Sequence, residues 1–237
     1  MNSIINFDNG HCVDHIAVGV KDTEEGVEWI TELTGVKPSL VEPEPDQWYW
    51  SAALNLGKNC FLEIIGPNQN HKGFQPIKQM LKDFEVPSLF FWYIGTHNFE
   101  LAKSIIEKYD FRLERIEDIS YKRDDDIIDY KRAIIGRGFN SERPCIIQWN
   151  SRPKRLDAVK ECSFKSLALS FPNPKNLNDL FSELQIDLQV KEGDAQMILT
   201  FDSPKGEIVL KGGGFEFSGL RAIPKMARLY TKYLSGL

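Results

Sequence analysis

The chain has 237 residues, with 29 Lys and Arg against 34 Asp and Glu and a formal net charge of -5 at pH 7. That balance argues against the basic surface from which non-specific nucleic-acid binding draws its affinity. No apolar run approaches the ~20 residues of a membrane-spanning helix, and no basic stretch followed by an apolar one opens the chain. The expectation is a cytoplasmic protein without nucleic-acid or membrane partners, long enough for one large domain or two small ones with a real core. Its four cysteines, Cys12, Cys60, Cys145 and Cys162, show no Cys-x-x-Cys spacing. They point to reduced, buried thiols rather than a zinc site or a disulfide framework.

In chain order, Asp14 to Asp22 is short, apolar and partly β-branched, the pattern of a buried strand. Asp22-Thr23-Glu24-Glu25 opens a helix, with a capping residue and acids in the first turn. Val27, Ile30 and Leu33 form its apolar face, and Gly35 ends it. Ser51–Leu56 and Cys60–Ile65 are strands joined by a Gly57-Lys58-Asn59 turn. Leu89–Gly95 begins a second copy. Asn98 takes the place of Asp22, and Leu101, Ile105, Ile106 and Tyr109 recur at helical spacing. Tyr130–Ile135 and Cys145–Trp149 are its later strands, and the mixed charges of Tyr121 to Asp126 suit a solvated loop. A third, partial copy runs from Phe164, with Asn173 as cap, Pro174 in the first turn, strands at Ala195–Phe201 and Glu207–Leu210, and a turn at Ser203–Gly206. The tail from Pro224 to Leu234 suits an amphipathic helix. The pattern predicts an α+β fold of duplicated βαβββ modules, residues 1–86 and 87–160. A partial βαββ module follows at 161–214 and a tail helix at 215–237.

Matched positions locate the chemistry. His15 lies seven residues before Asp22, and the corresponding positions before Asn98 and Asn173 are Phe91 and Ser166. Cys60-Phe61-Leu62-Glu63 matches Cys145-Ile146-Ile147-Gln148 in type, so Glu63 pairs with Gln148. An ionised Glu within Phe61-Leu62-Glu63-Ile64-Ile65 is costly unless exposed, paired or metal-bound. Its bland alternative is a solvated strand face, and for His15 a hydrogen-bonded core histidine. Arg132, in the strand-like Tyr130-Lys131-Arg132, is the candidate for holding an anion, since its guanidinium forks onto carboxylate or phosphate. The alternative is an edge charge. Trp48-Tyr49-Trp50 can line a pocket mouth or pack on a sheet.

The Asp14-His15-Ile16 opening, the Phe61-Leu62-Glu63-Ile64 strand, the Ile146-Ile147-Gln148-Trp149 strand and the late Phe201 to Gly206 turn together resemble the glyoxalase-like domain family of the vicinal-oxygen-chelate superfamily. The resemblance covers roughly Cys12 to Lys211. It implies paired βαβββ modules whose sheet curls around one cavity. It also implies a divalent metal (Mn, Mg, Zn, Ni or Fe) drawn from the first and last strands of each module, here His15, Glu63 and Gln148. Phe91 departs from that pattern, since a phenyl ring binds no metal.

Two functions follow. One is a lyase or isomerase acting on an oxygen-rich small substrate, with Glu63 as metal ligand or general base and Arg132, Trp48, Trp50 and Phe91 contacting the substrate. The other is a metal-free binding protein of the bleomycin-resistance type, favoured if Phe91 faces the cavity. A domain whose site has decayed is the blandest outcome. Homodimers are common in the superfamily, and a homodimer is an expected partner arrangement here.

Overall fold

The structure is a computed structural model that describes residues 10–41, 47–57, 59–72, 76–109, 111–123, 126–136, 143–152 and 161–212. The proposed tail helix lies outside them. β1 (His11–Gly19), α1 (Thr23–Thr34), β2 (Ser39–Val41), β3 (Tyr49–Asn55) and β4 (Phe61–Pro67) make the first module, and α2 (Pro76–Lys82) leads out of it. β5 (Ser88–Thr96), α3 (Phe99–Lys108), β6 (Leu113–Arg123), β7 (Asp126–Ile135) and β8 (Cys145–Ser151) repeat that order. β9 (Ser163–Phe171), α4 (Lys175–Glu183), β10 (Val190–Glu192), β11 (Gln196–Ser203) and β12 (Gly206–Gly212) follow, one strand more than the sequence suggested.

Local chemistry sets the helix ends. Asp22 caps α1, its carboxylate accepting from the Glu24 and Glu25 amides, and Gly35 ends the helix at φ 79, where a Cβ is disfavoured. Asn98 caps α3 by accepting from Leu101 N. Asn173 makes no such cap. Pro174 takes that position without a side-chain hydrogen bond, and Asn173 turns the chain at φ 59. The described ends of the charged run are strand rather than loop. Tyr121, Lys122 and Arg123 finish β6, and Asp126 begins β7 opposite Arg123. A strand with polar residues on both faces carries no period-2 hydrophobic signal, and β6 tolerates this because it is an edge strand of the sheet.

One mixed, curled sheet results. β1 pairs parallel with β4, β5 pairs parallel with β8, and β1 and β5 run antiparallel between the two modules. His15 lies opposite Tyr93 and Ala17 opposite Phe91, so an exchange of modules maps His15 onto Phe91 and Ala17 onto Tyr93. The third unit has a different strand order: β9 lies between β10 and β11, and β12 meets β5 through Gly212 and Leu89. A Cβ on Gly212 would sit 2.2 Å from the Leu89 carbonyl oxygen, so this junction needs glycine.

All nine residues of β5 are buried because both its faces are covered. Alternate side chains sort between them. Trp92 joins the core under the helices, edge-on to Phe181 of α4, while Phe91 and Tyr93 join a second cluster with Ile65, Leu81 and Ile147. Glu183 of α4 accepts from Tyr109 Oη at 2.7 Å and pairs with Lys108, which ties the third unit to the end of α3.

Candidate functional site

The concave face of the two paired modules encloses a cavity of about 710 Å³, within the roughly 300–1,000 Å³ usual for small-molecule sites. Its lining includes His15, Phe61, Glu63, Trp48 and Tyr49 from module one, and Phe91, Tyr93, Arg115, Glu117, Tyr130, Arg132 and Trp149 from module two. The modules therefore share one cavity within a single chain.

His15 is buried and held on every side. Its Nδ1 lies 2.6 Å from Asp14 Oδ1, and Asp14 Oδ2 accepts from Trp149 Nε1 at 3.1 Å. Gly95 opposite leaves room for Asp14, since a Cβ there would lie 3.2 Å from the Asp14 Cβ. The imidazole is stacked between Phe61, at 4.6 Å and 16°, and Tyr93, at 4.0 Å and 21°. With the Nδ1 proton committed to the Asp14 carboxylate, Nε2 is left facing Glu63 Oε2 at 3.7 Å. At that distance the two groups face one another without a hydrogen bond between them.

Glu63 stands on β4 between Phe61 and Ile65 on the cavity face, its side chain 18% exposed. Burial raises its pKa from 4.5, and Asp14 adds to the rise. His15, a hydrogen bond from Ser51 and the Arg132 charge oppose it. Arg132 stands across the cavity on β7. Its Nε donates to Glu117 Oε2 at 2.8 Å, and it also donates to Tyr49 Oη. Burial works against its charge, but Tyr93, Tyr49, Tyr130 and Glu117 more than offset that, so its pKa is raised and the guanidinium stays charged. Burial also pushes Tyr130 up to about 12.

Of the residues singled out in the sequence, His15, Glu63, Arg132, Trp48 and Phe91 meet in this cavity. Trp50 and Gln148 do not line it. Cross-strand pairing puts Tyr49, Ser51 and Ala53 on the face of Glu63, which turns Trp50 to the other side. Tyr49 takes the place expected of Trp50. Gln148 points to the helix side, where its Oε1 accepts from Phe99 N at 2.7 Å at the start of α3. The strand register does not pair Glu63 with Gln148. Ala17 pairs with Glu63 as Tyr93 pairs with Cys145, so the backbone counterpart of Glu63 is Cys145. Asp14, Ser51, Tyr93, Glu117 and Trp149 were missed. The Asp14-His15 neighbours were the available signal, because a carboxylate beside an imidazole fixes its tautomer.

The divalent metal expected on His15, Glu63 and Gln148 does not fit this donor set. His15 and Glu63 supply two donors, Gln148 is engaged elsewhere, and Phe91 fills the counterpart of His15. Cys145 is buried, hydrogen-bonded to Tyr93, and raised by burial to about 12, far from the thiolate that binds metal. Among the described residues, no three His, Cys, Asp or Glu side chains converge on one point.

Comparison with known proteins gives the following. A sequence profile described as a glyoxalase-like domain matches residues 13–184. No curated protein matches. A hypothetical protein from Staphylococcus aureus superposes with a TM-score of 0.53 at 12% identity, over 85% of this chain and 84% of that one. A mutant 4-hydroxymandelate synthase from Streptomyces coelicolor gives 0.54 at 12% identity, over 86% of this chain and 63% of that one. Methylmalonyl-CoA epimerase from Mycobacterium tuberculosis gives 0.43 at 17% identity, over 62% and 91%. At such identities the first two show a shared fold alone. No helix among the described residues is long and apolar enough to cross a membrane.

Proposed function

The chain belongs to the glyoxalase-like domain family of the vicinal-oxygen-chelate superfamily, and we propose that it is a metal-independent isomerase or lyase that moves a proton next to a carbonyl. The observation that carries this is the contact between Glu63 and His15 at 3.7 Å, with Asp14 fixing the imidazole behind it. A carboxyl with a raised pKa, facing a cavity with a charged guanidinium across it, is the arrangement general acid–base chemistry uses.

Glu63 takes the proton from the carbon α to a ligand carbonyl. The C–H electron pair becomes the C=C bond of an enolate, and the carbonyl oxygen gains the negative charge. Arg132 holds that charge, a task a metal performs elsewhere, and its bonds to Glu117 and Tyr49 fix it in advance. Protonated Glu63 returns the proton to carbon, or a leaving group on the neighbouring carbon departs with the electron pair. His15 keeps the Glu63 carboxylate oriented. The aromatic walls exclude water, which strengthens both effects.

The test is deuterium exchange at the benzylic carbon of phenylpyruvate, followed by proton NMR. Exchange faster than in buffer, unchanged by EDTA and lost in Glu63→Gln, is expected. Exchange at the buffer rate would sink the proposal; exchange that EDTA abolishes would return the site to metal chemistry. A metal-free binding cup is the alternative, favoured by Phe91 on the cavity wall. It predicts ligand binding without exchange.

A further inference from the structure

We propose that the cavity takes a flat apolar acid and that Arg115, at its mouth, receives the anionic end. The inference rests on the cavity being the functional site. It starts from the backbone of β6. The β6–β7 register breaks between Glu114 and Glu117, so Arg115 and Ile116 are left out of the ladder. Arg115 has a φ of 51, the left-handed region, which a residue with a Cβ rarely adopts. Strained residues and bulges gather where a side chain must be re-aimed. Here the bulge turns both side chains onto the cavity.

The two arginines of the lining differ in what they already hold. Arg132 is committed to Glu117 and Tyr49. Arg115 is exposed and makes no ion pair or hydrogen bond with the described residues. Its guanidinium therefore keeps its full fork of donors for a ligand carboxylate. Ile116 beside it is 43% exposed, a large apolar side chain at the rim of a cavity. Inward from the pair the walls are Trp48, Tyr49, Phe61, Phe91 and Trp149. Rings inside and a free cation at the lip fit a planar body with one anionic end. The carbon beside that end then points inward, toward Glu63.

The test compares 2-naphthoate with 2-naphthamide by isothermal titration calorimetry on the full chain. The two share a body and differ in charge. Naphthoate is expected to bind about tenfold tighter, the scale of one charge-assisted contact at a half-open site, and rising salt should shrink the preference. Arg115→Ala should erase it while leaving naphthamide unchanged. Arg115→Gly, which also relieves the positive φ, should do the same, and Arg115→Lys should restore part. Equal affinities in the unsubstituted protein, or a preference that survives Arg115→Ala, would overturn the inference. Binding of neither compound would overturn it together with the cavity on which it rests. A charge preference that depends on Arg115, found without phenylpyruvate exchange, supports this inference and sinks the catalytic function instead.

Discussion

In module one, β1 and β4 carry His15 and Glu63 to the cavity, whereas the same two positions of module two, on β5 and β8, are Phe91 and Cys145. The strand order and pairing partners are the same in both halves, although β6 and β7 are longer than β2 and β3 and β6 carries a bulge. Module one presents an imidazole and a carboxyl 3.7 Å apart, and module two an apolar wall with its charge one strand further out, at Arg132. The matched positions therefore hold two ionisable side chains in module one, and an aromatic ring and a buried thiol in module two. At these two positions the difference is one of side chains, so substitution can probe it.

The largest expected effect comes from the polar half. Glu63→Gln keeps the shape and the Ser51 contact and removes the base, so exchange should fall roughly 10²–10⁴-fold, with the circular dichroism spectrum unchanged. The apolar half should answer in stability. Phe91 is buried against Phe90 and Tyr93, and Phe91→Ala should cost about 3–5 kcal/mol in urea denaturation.

A smaller effect is expected at the helix starts. Asp22→Ala removes a cap that accepts two amides, and Gln148→Ala removes the one Phe99 N uses. Each should cost about 1 kcal/mol, and Gln148→Ala should leave ligand affinity and exchange unaffected. A loss of ligand affinity there would place Gln148 in the site after all.

The smallest effect is a slope with pH. Because the folded-state pKa of Glu63 lies above 4.5, the unfolded chain gives up that proton first. The stabilisation is complete below 4.5 and is lost as pH rises through the folded value. Compared with Glu63→Gln, the unsubstituted protein should therefore lose stability as pH rises from 4.5 through the folded value, while exchange rises over the same interval as the base is released. Cys145, raised from 9.0 to about 12, should show its matching loss only in alkali. Urea midpoints across pH check both halves.

Much of this frame was legible in the chain. Hydrophobic runs, capping residues and the spacing from His15 to Asp22 marked the repeated βα unit, because each depends on neighbours in sequence. β6 was not legible, since an edge strand needs no apolar face. Nor was the identity of the Glu63 counterpart. Residue types suggested Gln148, whereas the inter-strand hydrogen bonds select Cys145, and a register shift of an odd number of residues reverses the face presented.

The sequence by itself therefore determined the α+β class, the duplication and the residues capable of chemistry, through local propensity and periodicity. Only the tertiary structure decided which of them meet. It set Asp14 and Glu63 on opposite sides of the His15 imidazole, placed Arg132 across the cavity, and sent Trp50 and Gln148 to the far face. Those outcomes depend on strand pairing between segments far apart in the chain, and on the alternation of side chains that pairing fixes.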